Sequence, residues 1–243
     1  MKRERRRTRF SAAALLVLLL SAANGGAQRT PPDSVREGGH SRPLGRPREM
    51  IVAGLALAGA AATDERVRHW AVTHRSADLD RAAHAGNVLG RGRVMMSAML
   101  VAYVGARIAR RPRLARTVVR AAASYAIGNA AASALKSAVG RHRPEGADDP
   151  WRFRPFSRDD AWHSFSSSHV AHVATVAALA SAESRRPWVT GASSAAVALV
   201  GFSRVYSDAH WTSDAVASAE IGVLSARLAR RLVPECRGQE RLR

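Results

Sequence analysis

Apolar positions along the chain gather into six stretches that are long for strands, rich in alanine and poor in β-branched runs, a pattern that favours helices. They predict helices over Met50–Thr63, Val94–Ala109, Ala115–Ser137, Ser167–Ala182, Trp188–Val205 and Trp211–Leu232. The expected fold is therefore all-α, a bundle of about six helices over residues 50–232. Ahead of it, Met1–Arg9 is strongly basic, Phe10–Ala23 is an apolar run, and Gly25-Gly26-Ala27 offers a small-residue cleavage site. Residues 1–27 thus have the layout of a secretory signal peptide. Residues 28–49 carry four Pro and three Gly with no apolar periodicity, which predicts a flexible linker. Residues 233–243 form a basic tail.

Composition narrows the partners without naming one. At 243 residues and 47% hydrophobic, with no internal repeat, the chain can bury one substantial core. Of its net charge of +19, residues 1–27 hold +5 (six basic residues against one acid), leaving +14 on the rest. That balance favours phosphoesters, anionic lipid headgroups or nucleic acid. The basic runs Arg107–Arg113 and Arg227–Arg243 lack interleaved aromatics for base stacking, so they read as solvated surface and nucleic acid is disfavoured. A single cysteine, Cys236, cannot form an intramolecular disulfide. Lysine is more informative. The chain has 36 Arg and 2 Lys, one of them Lys2 in the leader, so a sequence that uses arginine almost everywhere keeps lysine at one interior position, Lys136. A compact ammonium serves as a point charge where a planar guanidinium fork would not fit.

Lys136 opens the first of three segments that belong together chemically. It runs Lys136-Ser137-Ala138-Val139-Gly140-Arg141-His142-Arg143-Pro144; the second is Ser164-Phe165-Ser166-Ser167-Ser168-His169; the third is Ser203-Arg204 with His210 and, one helical turn later, Asp214. The third predicted helix ends at the first segment, the fourth begins at the second, and the third segment spans the turn between the fifth and sixth. The helix ends should gather at one end of the bundle, where free N-H groups and helix dipoles favour an anion. Three cations, two imidazoles, a carboxylate and a serine cluster are what phosphoryl transfer requires.

This order and spacing resembles the type 2 phosphatidic acid phosphatase superfamily, which also holds bacterial non-specific acid phosphatases and vanadium haloperoxidases. The family pattern is Lys, six residues, Arg-Pro; then Pro-Ser-Gly-His; then Ser-Arg, five residues, His, three residues, Asp. The first and third elements match at every specified position, while the second departs at Ser166 (family Pro) and Ser168 (family Gly). The resemblance implies His210 as nucleophile oriented by Asp214, and His169 as the acid for the leaving group, a role suited to a pKa near neutrality. It implies phosphate binding by Lys136, Arg143, Arg204, the Ser167 hydroxyl and the N-H of Ser168. A Cβ at 168 would crowd or strain the turn if the family glycine serves a positive φ.

The implied activity is metal-independent hydrolysis of phosphomonoesters or pyrophosphates on a lipid or small phosphoester, through a phosphohistidine, with no cofactor and with vanadate as inhibitor. Two alternatives remain at this point: a vanadium-dependent haloperoxidase, with vanadate on His210, and a non-catalytic anion-binding relative. A zinc site from His163, His169, His172 and His210 is disfavoured, since no cysteine and no paired His-Glu motif accompanies them. A spanning helix needs about 20 apolar residues, and most segments fall short or carry a charge such as Arg120. Six spans would put the site outside the cytoplasm by loop charge but inside it by a cleaved leader. An exported bundle, soluble or attached to an anionic membrane surface in the periplasm or envelope, avoids that conflict; the alternative is an integral inner-membrane protein with its site facing the periplasm.

Overall fold

The computed structural model describes residues 47–145, 149–184 and 186–234, so the expected signal peptide, most of the linker and most of the basic tail, Cys236 included, lie outside the described residues. Eight α-helices occur among the described residues: α1 Pro47–Ala61, α2 Asp64–Thr73, α3 Ala77–Leu89, α4 Gly92–Ile108, α5 Pro112–Val139, α6 Ser168–Glu183, α7 Pro187–Tyr206 and α8 Thr212–Leu232. The fold is all-α as expected, with the six apolar segments at α1 and α4 to α8. The count of about six is corrected to eight, because α2 and α3 are polar helices. The last three linker residues, 47–49, are the first turn of α1.

Local chemistry sets the boundaries. Proline opens α5 and α7, where its missing N-H falls among groups that have no intrahelical partner anyway. Gly140 ends α5 in the left-handed region, φ 58°, with its N-H on the Lys136 carbonyl 3.0 Å away. A Cβ on Gly140 would stand 1.9 Å from the Arg154 carbonyl oxygen, so glycine is required twice over. At the start of α8, the Asp214 carboxylate reaches back to the Trp211 N-H at 2.9 Å, a capping reach from the third helical position.

The centre of the bundle is α6, which packs on α5, α7 and α8. Its Val170, Val173 and Ala174 meet Val197 and Val200 of α7 and Val216 and Ala219 of α8 in the largest core cluster. Alanine-rich faces let the axes come close: a Cβ on Gly222 of α8 would lie 2.5 Å from that of Ala174. Arg120, the charge inside the apolar run of α5, is buried against Glu183 at 2.8 Å and donates to the Val233 carbonyl at 2.7 Å, so its charge is matched rather than exposed. α1 and α4 present large apolar side chains outward, among them Met50, Ile51, Leu55, Leu100, Val101 and Ile108. No described helix is long and apolar enough to cross a membrane.

Candidate active site

The C-termini of α5 and α7 and the N-termini of α6 and α8 meet at one end of the bundle, carrying the three sequence segments with them. His210 lies just before α8 and is buried. Its Nδ1 is 2.7 Å from the Ser164 carbonyl oxygen. A carbonyl only accepts, so the proton sits on Nδ1 and a neutral ring carries its lone pair on Nε2. Burial is the main cause that pushes this imidazole down to about 4, with Lys136 and Arg204 adding to it against the opposing influence of Asp214. The ring is therefore neutral at neutral pH, and Nε2 is available as a nucleophile.

Asp214 does not hold the ring in the expected way. Its Oδ2 is 3.8 Å from Nδ1, beyond hydrogen-bond length, so it acts on His210 through charge while the Ser164 carbonyl fixes the tautomer. Instead the carboxylate accepts from Arg141 at 2.7 Å, from the Ser164 hydroxyl at 2.5 Å and from the Trp211 N-H at 2.9 Å. Burial acts to raise its pKa, but His210, Arg141 and Ser164 outweigh burial and hold it below the usual carboxylate range.

Arg141 is the residue the motif reading passed over. Buried beneath the site, it donates to Asp214, to the Ser213 hydroxyl at 2.7 Å, to Asp64 at 2.8 Å and to the Pro150 carbonyl at 2.8 Å. Asp64, in the first turn of α2, in turn accepts from the N-H and hydroxyl of Ser213 at 2.9 and 2.6 Å. Burial nonetheless dominates there and raises the Asp64 carboxyl despite those partners. The signal for Arg141 was its place inside the Lys-to-Arg-Pro segment. Asp64 had none, since it belongs to a helix the apolar pattern did not show.

The cations surround this base. Lys136 Nζ donates to the His163 carbonyl at 2.9 Å; burial, then Arg143, then Arg204 lower its pKa to about 8, against Asp214 and Asp160. Arg143 reaches Asp160 at 3.0 Å, and Arg204 reaches the Asn87 side-chain oxygen of α3 at 2.6 Å. Burial, with Arg143 beside it, lowers Arg204 to about 10. His169, in the first turn of α6, is pushed down to about 4 by burial first and then by Arg204, His210, His172 and Lys136. That corrects the expectation of a ring titrating near neutrality. The site is crowded with positive charge, and each cation makes the next harder to protonate.

Ser167 precedes α6; its N-H donates to the Ser218 hydroxyl at 2.7 Å. The Phe165–Ser166 peptide bond is cis. Ser168 is the first helical residue and is not among the positive-φ positions Arg110, Phe156 and Asp208, so the strain expected from replacing the family glycine is absent. Of six buried side-chain polar atoms that find no partner within the protein among the described residues, four lie on these segments: Arg143 Nε, Arg204 Nε, Ser166 Oγ and Ser167 Oγ. Those four have no protein acceptor among the described residues, as expected of groups left open for an anion rather than closed into a finished hydrogen-bond network.

The remaining histidines do other work. His172 is 3.1 Å from both the Gly90 carbonyl and the Asn129 side chain and stacks on Tyr125, and His163 Nε2 donates to the Ser157 carbonyl at 2.8 Å. No group of three or more His, Cys, Asp or Glu stands together as a metal set among the described residues. Trp211 is buried at the start of α8 with its indole N-H on the His142 carbonyl at 2.9 Å.

The sequence pattern that defines the PAP2 superfamily matches residues 117–237, which contain all three segments. The chain belongs to the PAP2 superfamily. Two solved structures share the fold of this PAP2 protein. A transmembrane PAP2-type phosphatidylglycerolphosphate phosphatase from Bacillus subtilis superposes with a TM-score of 0.59 at 20% identity, over 75% of this chain and 94% of that one. LpxE from Aquifex aeolicus gives 0.55 at 18% identity, over 68% and 93% respectively. No curated protein matches the chain at a significant level.

Proposed function

We infer that this PAP2 protein is a metal-independent phosphohydrolase that cleaves a lipid phosphate or small phosphoester through a phosphohistidine. The observation that carries the reading is the set of four unpartnered donors beside a neutral His210 whose Nε2 is free. Lys136, Arg143 and Arg204 bind the phosphoryl oxygens, with Ser167 and the N-H of Ser168 as further donors. Nε2 of His210 attacks phosphorus and the P–O ester bond breaks; His169 gives its proton to the departing alkoxide. Water then attacks the phosphohistidine, His169 takes its proton, and the P–N bond breaks to restore His210. A bound phosphoryl dianion offsets the surrounding cations, so His169 becomes protonatable as substrate arrives.

The names of the two structural neighbours and the outward apolar side chains of α1 and α4 support a lipid phosphate and a place at an anionic membrane surface of the cell envelope. Phosphate release from phosphatidic acid, undecaprenyl pyrophosphate and p-nitrophenyl phosphate, each with EDTA or vanadate, tests the reading. Release that survives EDTA, stops with vanadate and disappears in His210→Ala is expected. Activity lost in chelator and restored by zinc would refute it.

A further inference from the structure

The connection between α5 and α6 contains the segment Trp151-Arg152-Phe153-Arg154-Pro155-Phe156-Ser157-Arg158, in which three aromatics and three arginines interleave in a chain that is 5% aromatic overall. All three rings are turned outward: Trp151 is 60%, Phe153 47% and Phe156 77% exposed. Single exposed apolar residues are ordinary, but three aromatics within six positions make a patch. Nor is the segment loosely held. The Arg154 N-H donates to the Gly140 carbonyl at 2.6 Å, the Phe156 N-H to the Ser137 carbonyl at 2.7 Å, and the His142 N-H to the Arg152 carbonyl at 3.0 Å. Phe156 is held at φ 58°, a conformation disfavoured for a bulky residue, and its ring still faces outward. None of Arg152, Arg154 and Arg158 has a carboxylate partner among the described residues.

Rigidity, outward rings and guanidiniums without carboxylate partners lie directly beside the phosphoryl site, Arg152 stacking over the Trp162 ring at 5.6 Å. Ser137, which accepts from Phe156, follows Lys136, and His163, whose carbonyl holds Lys136, donates to Ser157. We propose that residues 151–158 form an interfacial anchor that docks the active-site end of the molecule on an anionic lipid surface. The rings enter the headgroup boundary and the arginines meet lipid phosphates, so a phosphorylated headgroup in that surface is presented to Lys136. Two of the three rings are phenylalanines, hydrocarbon with no polar atom to satisfy inside a bilayer boundary; a single-stranded nucleic acid, whose base faces also stack on such rings, is the competing occupant that the test decides. The inference deepens the phosphohydrolase reading and rests on it for the lipid substrate.

The test compares the full chain with Phe153→Ser/Phe156→Ser, leaving Trp151 in place because its ring lies 6.0 Å from the Arg141 guanidinium. Sedimentation with phosphatidylcholine vesicles, with and without phosphatidylglycerol, reads docking. Hydrolysis of long-chain phosphatidic acid in those vesicles, against p-nitrophenyl phosphate in solution, reads presentation. The variant should bind anionic vesicles about tenfold more weakly per lost ring and lose vesicle activity in proportion, with p-nitrophenyl phosphate turnover unchanged. Equal vesicle binding and equal activity ratios would overturn the proposal. So would a single-stranded oligonucleotide that binds as tightly as anionic vesicles and is released by the same variant. If neither substrate is hydrolysed by the unaltered chain, the phosphohydrolase reading fails on its own and the sedimentation arm still decides docking.

Discussion

A single buried guanidinium organises the base of the site. Arg141 matches two buried carboxylates, Asp64 and Asp214, while also serving Ser213 and Pro150. Arg141→Met should lower unfolding stability by about 3–5 kcal/mol, since it strands buried negative charge, and chemical denaturation measures it. Arg141→Lys keeps the charge but has no fork for several acceptors, so it should fold while turnover drops through a displaced Asp214. A second outcome at this scale concerns His169, held down to about 4 before substrate binds. On the proposed mechanism the proton His169 delivers must then enter with the phosphate, whose second pKa is about 6. For alkyl phosphates kcat/KM should fall as pH rises past that value, whereas an aryl phosphate with a good leaving group should show a flat profile. Parallel profiles would remove His169 from the acid role. The motif residues were legible because their spacing survives two substitutions; Arg141 and Asp64 were not, because a buried ion pair leaves no periodicity in a sequence.

Among the elements, α5 to α8 were legible to within about three residues at each end, since uninterrupted alanine-rich runs end at proline or glycine. α2 and α3 escaped because Asp64–Thr73 and Ala77–Leu89 mix charges through short stretches with little apolar continuity. They are nonetheless the elements that hold Asp64 and Asn87 against the site, so the missed helices and the missed partners are one omission. The junction of α5 with the segment that follows depends on Gly140. Gly140→Ala places a Cβ within 1.9 Å of the Arg154 carbonyl at a positive φ. It should push residues 152–156 off the end of α5 and lower the melting temperature, with Lys136 losing its fixed position; calorimetry and KM together check this. Unchanged values for both would mean that the segment can shift without disturbing the site.

On the scale of the whole molecule, a partly buried acid outside the Arg141 network opposes folding as pH rises. Glu220 of α8 has a buried carboxylate oxygen without a hydrogen-bond partner among the described residues, and burial pushes its pKa up to about 7. Between the ordinary glutamate value of 4.5 and about 7 the folded chain binds the extra proton, so stability is lost as pH rises through that window. Glu220→Gln should be more stable than the natural chain at pH above about 7, with the difference shrinking to nothing toward pH 4; urea unfolding across that range reads it. A constant difference would assign the gain to packing.

The four donors without protein acceptors carry a consequence for the time course of catalysis. On the proposed reading, orthophosphate should satisfy them as completely as an ester does, with no leaving group to help expel it. The enzyme should therefore slow under its own product: progress curves bend early, added orthophosphate competes with substrate, and departure of the anion sets the pace once the ester bond is easy to break. Linear progress curves in millimolar orthophosphate would show that those donors do not grip the anion between turnovers.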